Sequence, residues 1–130
     1  MFPIQSTTED SAKLYVDDVF STYLYTGNGS TQTINNGIDL AGKGGLVWLK
    51  RRDGSTNSHR LFDTVRGSIN ELKTDSASPQ VSAGGEFASF NSNGFSLGVP
   101  YNGGINTNAM SGVSWTFRKA PKFFDVVTYT

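Results

Sequence analysis

Val113-Ser-Trp-Thr-Phe-Arg-Lys-Ala-Pro-Lys-Phe-Phe-Asp-Val-Val-Thr-Tyr-Thr130 is the stretch on which the fold is decided. Val113, Trp115 and Phe117 alternate with Ser114, Thr116 and Arg118, the period of a half-buried β-strand with three large apolar groups on one face. Ala120-Pro121 stops that strand, since proline has no N–H for a ladder and holds its predecessor extended. Phe123 to Tyr129 reads as a second strand-like run.

Working outward, the clearest companion is Gly45-Leu-Val-Trp-Leu-Lys50, the most apolar run, expected as a central strand buried on both faces. His59 to Val65 reads as its partner in a hairpin over the polar loop from Asp53 to Ser58. Phe20 to Thr26 alternates before the turn Gly27-Asn28-Gly29. Gln32 to Ile38 is a shorter strand, with Ile38 and Leu40 as core candidates, and Gly42-Lys43-Gly44-Gly45 is a turn. Phe87 to Asn91 and Phe95 to Gly98 flank Asn93-Gly94, a strong hairpin dipeptide. Leu14 to Phe20 fits no period cleanly, and Ser68 to Pro79 is mixed, with a short strand or a single turn expected near Ile69 to Leu72.

Composition agrees with this reading. The chain has 130 residues, 36% apolar and 17% charged, with 15 glycines, a mixture that favours short strands and tight turns over helices. Eight to ten strands and no convincing helix are expected, in an all-β, two-sheet antiparallel jelly-roll sandwich; a single closed barrel is the second solution. The expected shared core is Leu46, Val47, Trp48, Leu49, Leu61, Phe90, Phe95, Leu97, Val113, Trp115 and Phe117. Residues 1–13 are read as an N-terminal arm, 14–120 as the sandwich, and 121–130 as a linker and the first strand of a following module. That last reading rests on Phe20-Ser-Thr-Tyr-Leu-Tyr-Thr26 matching Phe124-Asp-Val-Val-Thr-Tyr-Thr130 in Phe, Tyr and Thr; a closing strand that pairs with the first is the alternative.

Eleven basic residues balance eleven acidic ones, so no long-range field draws in nucleic acid or an anionic membrane. The absence of cysteine excludes disulfides and thiolate metal sites. No apolar run is long enough to insert in a membrane.

The densest cluster of functional groups is His59-Arg-Leu-Phe-Asp-Thr-Val-Arg-Gly67. On a strand His59 and Asp63 share a face but lie about 13 Å apart, too far for a base and its orienting carboxylate. Asp63 is instead expected to accept hydrogen bonds from backbone N–H groups or from Arg66 at the strand end. The three glutamates, Glu9, Glu71 and Glu86, form no glycosidase pattern, so no catalytic residues are assigned. Asp17, Asp18 and Asp39 match no calcium loop, and no metal or cofactor is expected. The loop from Tyr101 to Met110 sets one aromatic among amides, which suits a sugar-binding rim; Tyr101, Asn102, Asn106 and Asn108 are its candidate residues.

Asp18-Val-Phe-Ser-Thr-Tyr-Leu-Tyr-Thr-Gly-Asn-Gly-Ser-Thr-Gln-Thr-Ile34, Gly45-Leu-Val-Trp-Leu-Lys50, Leu61-Phe-Asp-Thr-Val-Arg-Gly67, Ser89-Phe-Asn-Ser-Asn-Gly-Phe-Ser-Leu-Gly98 and Trp115 to Thr130 together resemble a module of large virion proteins of marine bacteriophages. The resemblance implies a laminin-G or concanavalin A-like jelly roll in a tail fibre, tail-associated adhesin or capsid decoration. It implies a location on the virion, other virion proteins as partners, a homo-oligomer, and host surface glycan as an alternative ligand. It implies no catalytic residues. It also favours a chain that continues past Thr130, and an arm at residues 1–13 that docks by strand addition or in a groove.

Overall fold

The computed structural model describes residues 13–54, 56–101 and 104–130. Nine strands occur among them: β1 (Phe20–Thr26), β2 (Gln32–Asn35), β3 (Gly45–Arg51), β4 (Arg60–Asp63), β5 (Asn70–Lys73), β6 (Val81–Ser82), β7 (Phe87–Asn91), β8 (Gly94–Leu97) and β9 (Ser111–Arg118). Two single-turn helices interrupt them, α1 (Val16–Val19) and α2 (Leu40–Lys43). The Asp39 side chain caps α2 by accepting from the Gly42 N–H at 2.8 Å. No helix among the described residues is long and apolar enough to cross a membrane.

The strands form two antiparallel sheets, one ordered β1-β9-β3-β4-β5-β6 and the other β2-β8-β7. They face each other across Tyr25, Ile34, Ile38, Leu40, Val47, Leu49, Phe62, Phe87, Phe95, Leu97, Ile105 and Met110. Phe62 on β4 stacks on Phe87 on β7 at 4.6 Å between centroids, and Phe87 on Phe95 at 5.5 Å, which joins the sheets near the middle. The fold is all-β, as the alternating pattern predicts. Asn93-Gly94 closes the β7–β8 hairpin, and a Cβ on Gly94 would stand 2.0 Å from the Ile34 carbonyl oxygen of neighbouring β2.

β9 turns the opposite way from expectation. Opposed residues in the ladders place Phe20, Thr22 and Leu24, then Val113, Trp115 and Phe117, then Leu46 and Trp48, and then Leu61 on one face of the large sheet. The other face carries Tyr25, Val47, Leu49 and Phe62, together with Gly112, Ser114 and Thr116, and this is the face turned to the small sheet. Ser114 and Thr116 are completely buried, whereas Trp48, Trp115 and Phe117 are half-buried on the outside. Of the expected core, Val47, Leu49, Phe95 and Leu97 are fully inside, and Val113 is buried as well, 5% exposed, though on the outer side of β9. Phe90 packs against the core from its margin.

The inversion has a steric cause. Tyr25 lies opposite Gly112, and a Cβ there would come within 2.5 Å of the Tyr25 ring. The Tyr25 hydroxyl reaches across to donate to the Ile105 carbonyl at 2.7 Å, and Ile105 and Met110 of the loop before β9 fill the space beside it. Small groups on the inner face of β9 make room for that loop. Thr116 Oγ1 accepts from Asn36 Nδ2 at 3.0 Å, so one of the inward hydroxyls has a partner across the core.

β3 is likewise buried on one face and half-buried on the other, not sealed on both. Phe123 to Tyr129 forms no strand. A single bridge joins Ala120 to Phe124, and the Phe124 ring stacks on Phe117 at 5.2 Å, extending the outer aromatic row. Pro121 and a left-handed Lys122 (φ 63°) turn the chain too sharply for the ladder to continue.

Candidate functional site

Among the described residues the small sheet has no strand beyond β7, so the inner face of the large sheet at β5 and β6 is left without a described strand above it. A cleft of about 410 Å³ opens there, with Asn57, Arg60, Glu71, Lys73, Ser82 and Tyr101 on its walls. The register explains its chemistry. Arg60 stands opposite Leu49 and Lys73, so an inward strand position is a guanidinium, and Glu71 and Lys73 flank Leu72 on that same face.

These charges are tied together under the cleft. Arg60 Nη1 donates to Glu86 Oε1 at 2.5 Å, while Arg60 Nε lies 3.4 Å from Glu71 Oε2. Lys73 Nζ lies 3.9 Å from Glu71 Oε1. Glu86 is wholly buried, and its second oxygen accepts from the Ile105 N–H at 2.6 Å. Burial of Glu86 is therefore balanced by one cation and one backbone donor. The burial that encloses Tyr25 pushes its phenol well above the ordinary range; the Glu86 charge adds to this and Arg60 opposes it.

Glu71 is different. Its side chain is only 5% exposed, yet Oε2 has no hydrogen-bond partner among the described residues. Burial raises its carboxyl above the ordinary glutamate value, and Arg60 and then Lys73 partly offset that. Tyr101 stands at the mouth, 53% exposed, with its ring against the backbone of Gly84; a Cβ on Gly84 would meet the ring at 2.9 Å.

The expected sugar rim is dispersed. Tyr101 lines the cleft, and Asn102 lies outside the described residues. Asn108 is exposed but sits beside Gly29, where a Cβ would lie 3.2 Å from its own. Asn106 is fully buried and its amide is spent inside the fold: Nδ2 donates to the carbonyls of Ser30 and Gly98, and Oδ1 accepts from Gln32 Nε2 at 2.6 Å and the Asn28 N–H at 3.3 Å. It is a tie between loops, not a ligand group.

Asp63 Oδ1 accepts from the N–H groups of Val65 and Arg66 at 3.0 and 2.8 Å, and Oδ2 from the Arg66 guanidinium, which ends β4 in a turn. His59 Nδ1 accepts from Trp48 Nε1 at 2.9 Å on the outer face. Neither forms a reacting pair. No group of three or more His, Cys, Asp or Glu side chains among the described residues is arranged to hold a metal ion.

Arg60 belongs to the His59–Gly67 cluster and Glu71 to the three glutamates, but the convergence of these two with Lys73 depends on register and does not show in the sequence. The available signal was Asn70-Glu-Leu-Lys73 itself, in which charges flank one apolar residue and so share a face.

A family model described as a domain of unknown function (DUF7483) matches residues 16–123, from α1 through the turn after β9. The chain belongs to this family. No curated protein and no solved structure matches it. The match spans both sheets and every wall of the cleft, so the site lies wholly within the family domain.

Proposed function

We propose that this domain is a non-enzymatic structural module of a bacteriophage virion, acting through the outer face of its large sheet in a tail fibre, appendage or capsid decoration. The observation that carries the reading is the face itself. Phe20 packs on Phe117 at 5.0 Å, Trp48 on Trp115 at 5.1 Å and Phe117 on Phe124 at 5.2 Å, in a continuous row that no described strand covers. Leu24 continues it on β1 with 62% of its surface exposed. Apolar rows of this kind mark contact surfaces, because leaving them in water forgoes about 25 cal/mol for each Å². β1 is also the edge of its sheet, open to pairing with another chain. Copies of this domain and other virion proteins are the partners.

The sequence resemblance to marine phage virion modules supplies the setting. Among the described residues that line the cleft Glu71 is the one carboxylate, where glycoside hydrolysis requires two, which favours a binding role. Mass spectrometry of purified phage particles tests the proposal. The chain is expected in the particles at a fixed copy number, and Leu24→Glu is expected to leave the domain folded but absent from them. Abundance in the infected lysate with none in particles contradicts it.

Host glycan recognition is the second reading. An exposed tyrosine beside a cleft lined with hydrogen-bonding groups favours it.

A further inference from the structure

The cleft between β5, β6 and Tyr101 points to a defined ligand class: we infer that it is a binding site for an uncharged pyranose unit of a glycan. The inference rests on the glycan-recognition reading and assigns that reading a site other than the asparagine loop.

Three observations converge. The first is the Glu71 carboxylate on the cleft wall, which Arg60 Nε meets at 3.4 Å and Lys73 Nζ at 3.9 Å as ion pairs, with no hydrogen bond to Oε2 among the described residues. A carboxylate held by long ion pairs keeps spare acceptor capacity, and a ligand hydroxyl reaching the group from the cleft uses it. The second is the mixture of signs. Lys73, 38% exposed at its side chain, offers a donor 3.9 Å from the other oxygen of Glu71, with Ser82 alongside on the cleft wall. Neighbouring acceptor and donor groups match the adjacent hydroxyls of a sugar, each of which donates one hydrogen bond and accepts others. A ligand carboxylate would sit against Glu71, and a ligand ammonium against Lys73 and Arg60, so either charge meets a like charge. An uncharged polyol meets none.

The third is Tyr101. Its ring lies beside the backbone at Gly84 and is half open to solvent, an apolar platform at the mouth of a polar cleft. Sugars have one face of C–H bonds and an edge of hydroxyls, which is the division this cleft presents. A volume of about 410 Å³ accommodates one ring with its first linkage leaving through the mouth.

Saturation-transfer NMR on the purified domain tests this, with glucose, galactose, mannose, N-acetylglucosamine, glucuronic acid and N-acetylneuraminic acid as probes. A glycan array is read in parallel. At least one uncharged sugar is expected to show saturation of its ring C–H protons. Tyr101→Ala is expected to weaken binding at least tenfold, and Glu71→Gln several-fold, with unchanged circular dichroism. Lys73→Met serves as a third variant should either of those fail to fold. Array binding that survives Tyr101→Ala and Glu71→Gln overturns the site while leaving glycan recognition standing. Preference for the two acidic sugars overturns the uncharged class. No binding on the array or by NMR overturns both the site and the reading beneath it.

Discussion

The two faces of the large sheet obey different rules. Beside Tyr25, Val47, Leu49 and Phe62 the inner face holds Gly112, Ser114 and Thr116 of β9 and Arg60, paired with buried Glu86, while the outer side holds two tryptophans and three phenylalanines half in water. On composition alone the two faces of β9 would be reversed. The difference teaches that the core here is filled by loops and by the opposite sheet, so the inner face of β9 is small in order to admit Tyr25, Ile105 and Met110. What remains outside is apolar because it is half-covered by its own neighbours.

The contrast can be broken most forcefully from inside. Glu86→Ala removes the hydrogen-bonded partner of buried Arg60 and the acceptor of the Ile105 N–H, and is expected to cost about 3–5 kcal/mol in urea denaturation. A loss below about 1 kcal/mol would mean that the pair is not enclosed. On the outer face Trp115→Ala creates no closed cavity, so a smaller loss of about 1–2 kcal/mol is expected by the same measurement.

Ser114 sharpens the comparison further. Its Oγ is buried without a partner among the described residues, and Ser114→Ala is expected to raise stability by about 1 kcal/mol. Were Ser114 on a wet face, the change would be close to nothing. Leu24→Glu, far out on the open face, is expected to alter stability by less than about 0.5 kcal/mol.

The last effect is a pH dependence. Burial raises the Glu71 carboxyl, so the fold favours its protonated form more than the unfolded chain does. This contribution is present below the ordinary glutamate value of 4.5 and is lost as pH rises through the higher folded value. Glu71→Gln is therefore expected to gain stability relative to the native chain as pH climbs from 4.5, read from denaturation midpoints across the acid range. A relative loss over that range would reverse the sign.

Much of the architecture was legible in the sequence because strand alternation and turn chemistry are local. The β3–β4 hairpin and the β7–β8 hairpin at Asn93-Gly94 both follow from short-range pattern. Alternation states that β9 has two faces without stating which one meets the other sheet, and Tyr25 with its Gly112 gap decides that from the other half of the chain. The terminal run from Phe123 to Tyr129 has strand composition but, among the described residues, no ladder partner beyond one bridge, so context overrides propensity there. The candidate site was half legible. Tyr101 stood out as an aromatic in a polar loop, but Asn106 looked like a ligand group and is a buried tie, and Arg60, Glu71 and Lys73 converge only through pairings between distant strands.

Acrylamide quenching of the intrinsic fluorescence of the isolated domain tests the orientation of β9 most directly, because both tryptophans, Trp48 and Trp115, lie on the outer face. Red-shifted emission with both residues readily quenched is the predicted result. Blue-shifted emission that resists the quencher would place those rings between the sheets and contradict the account.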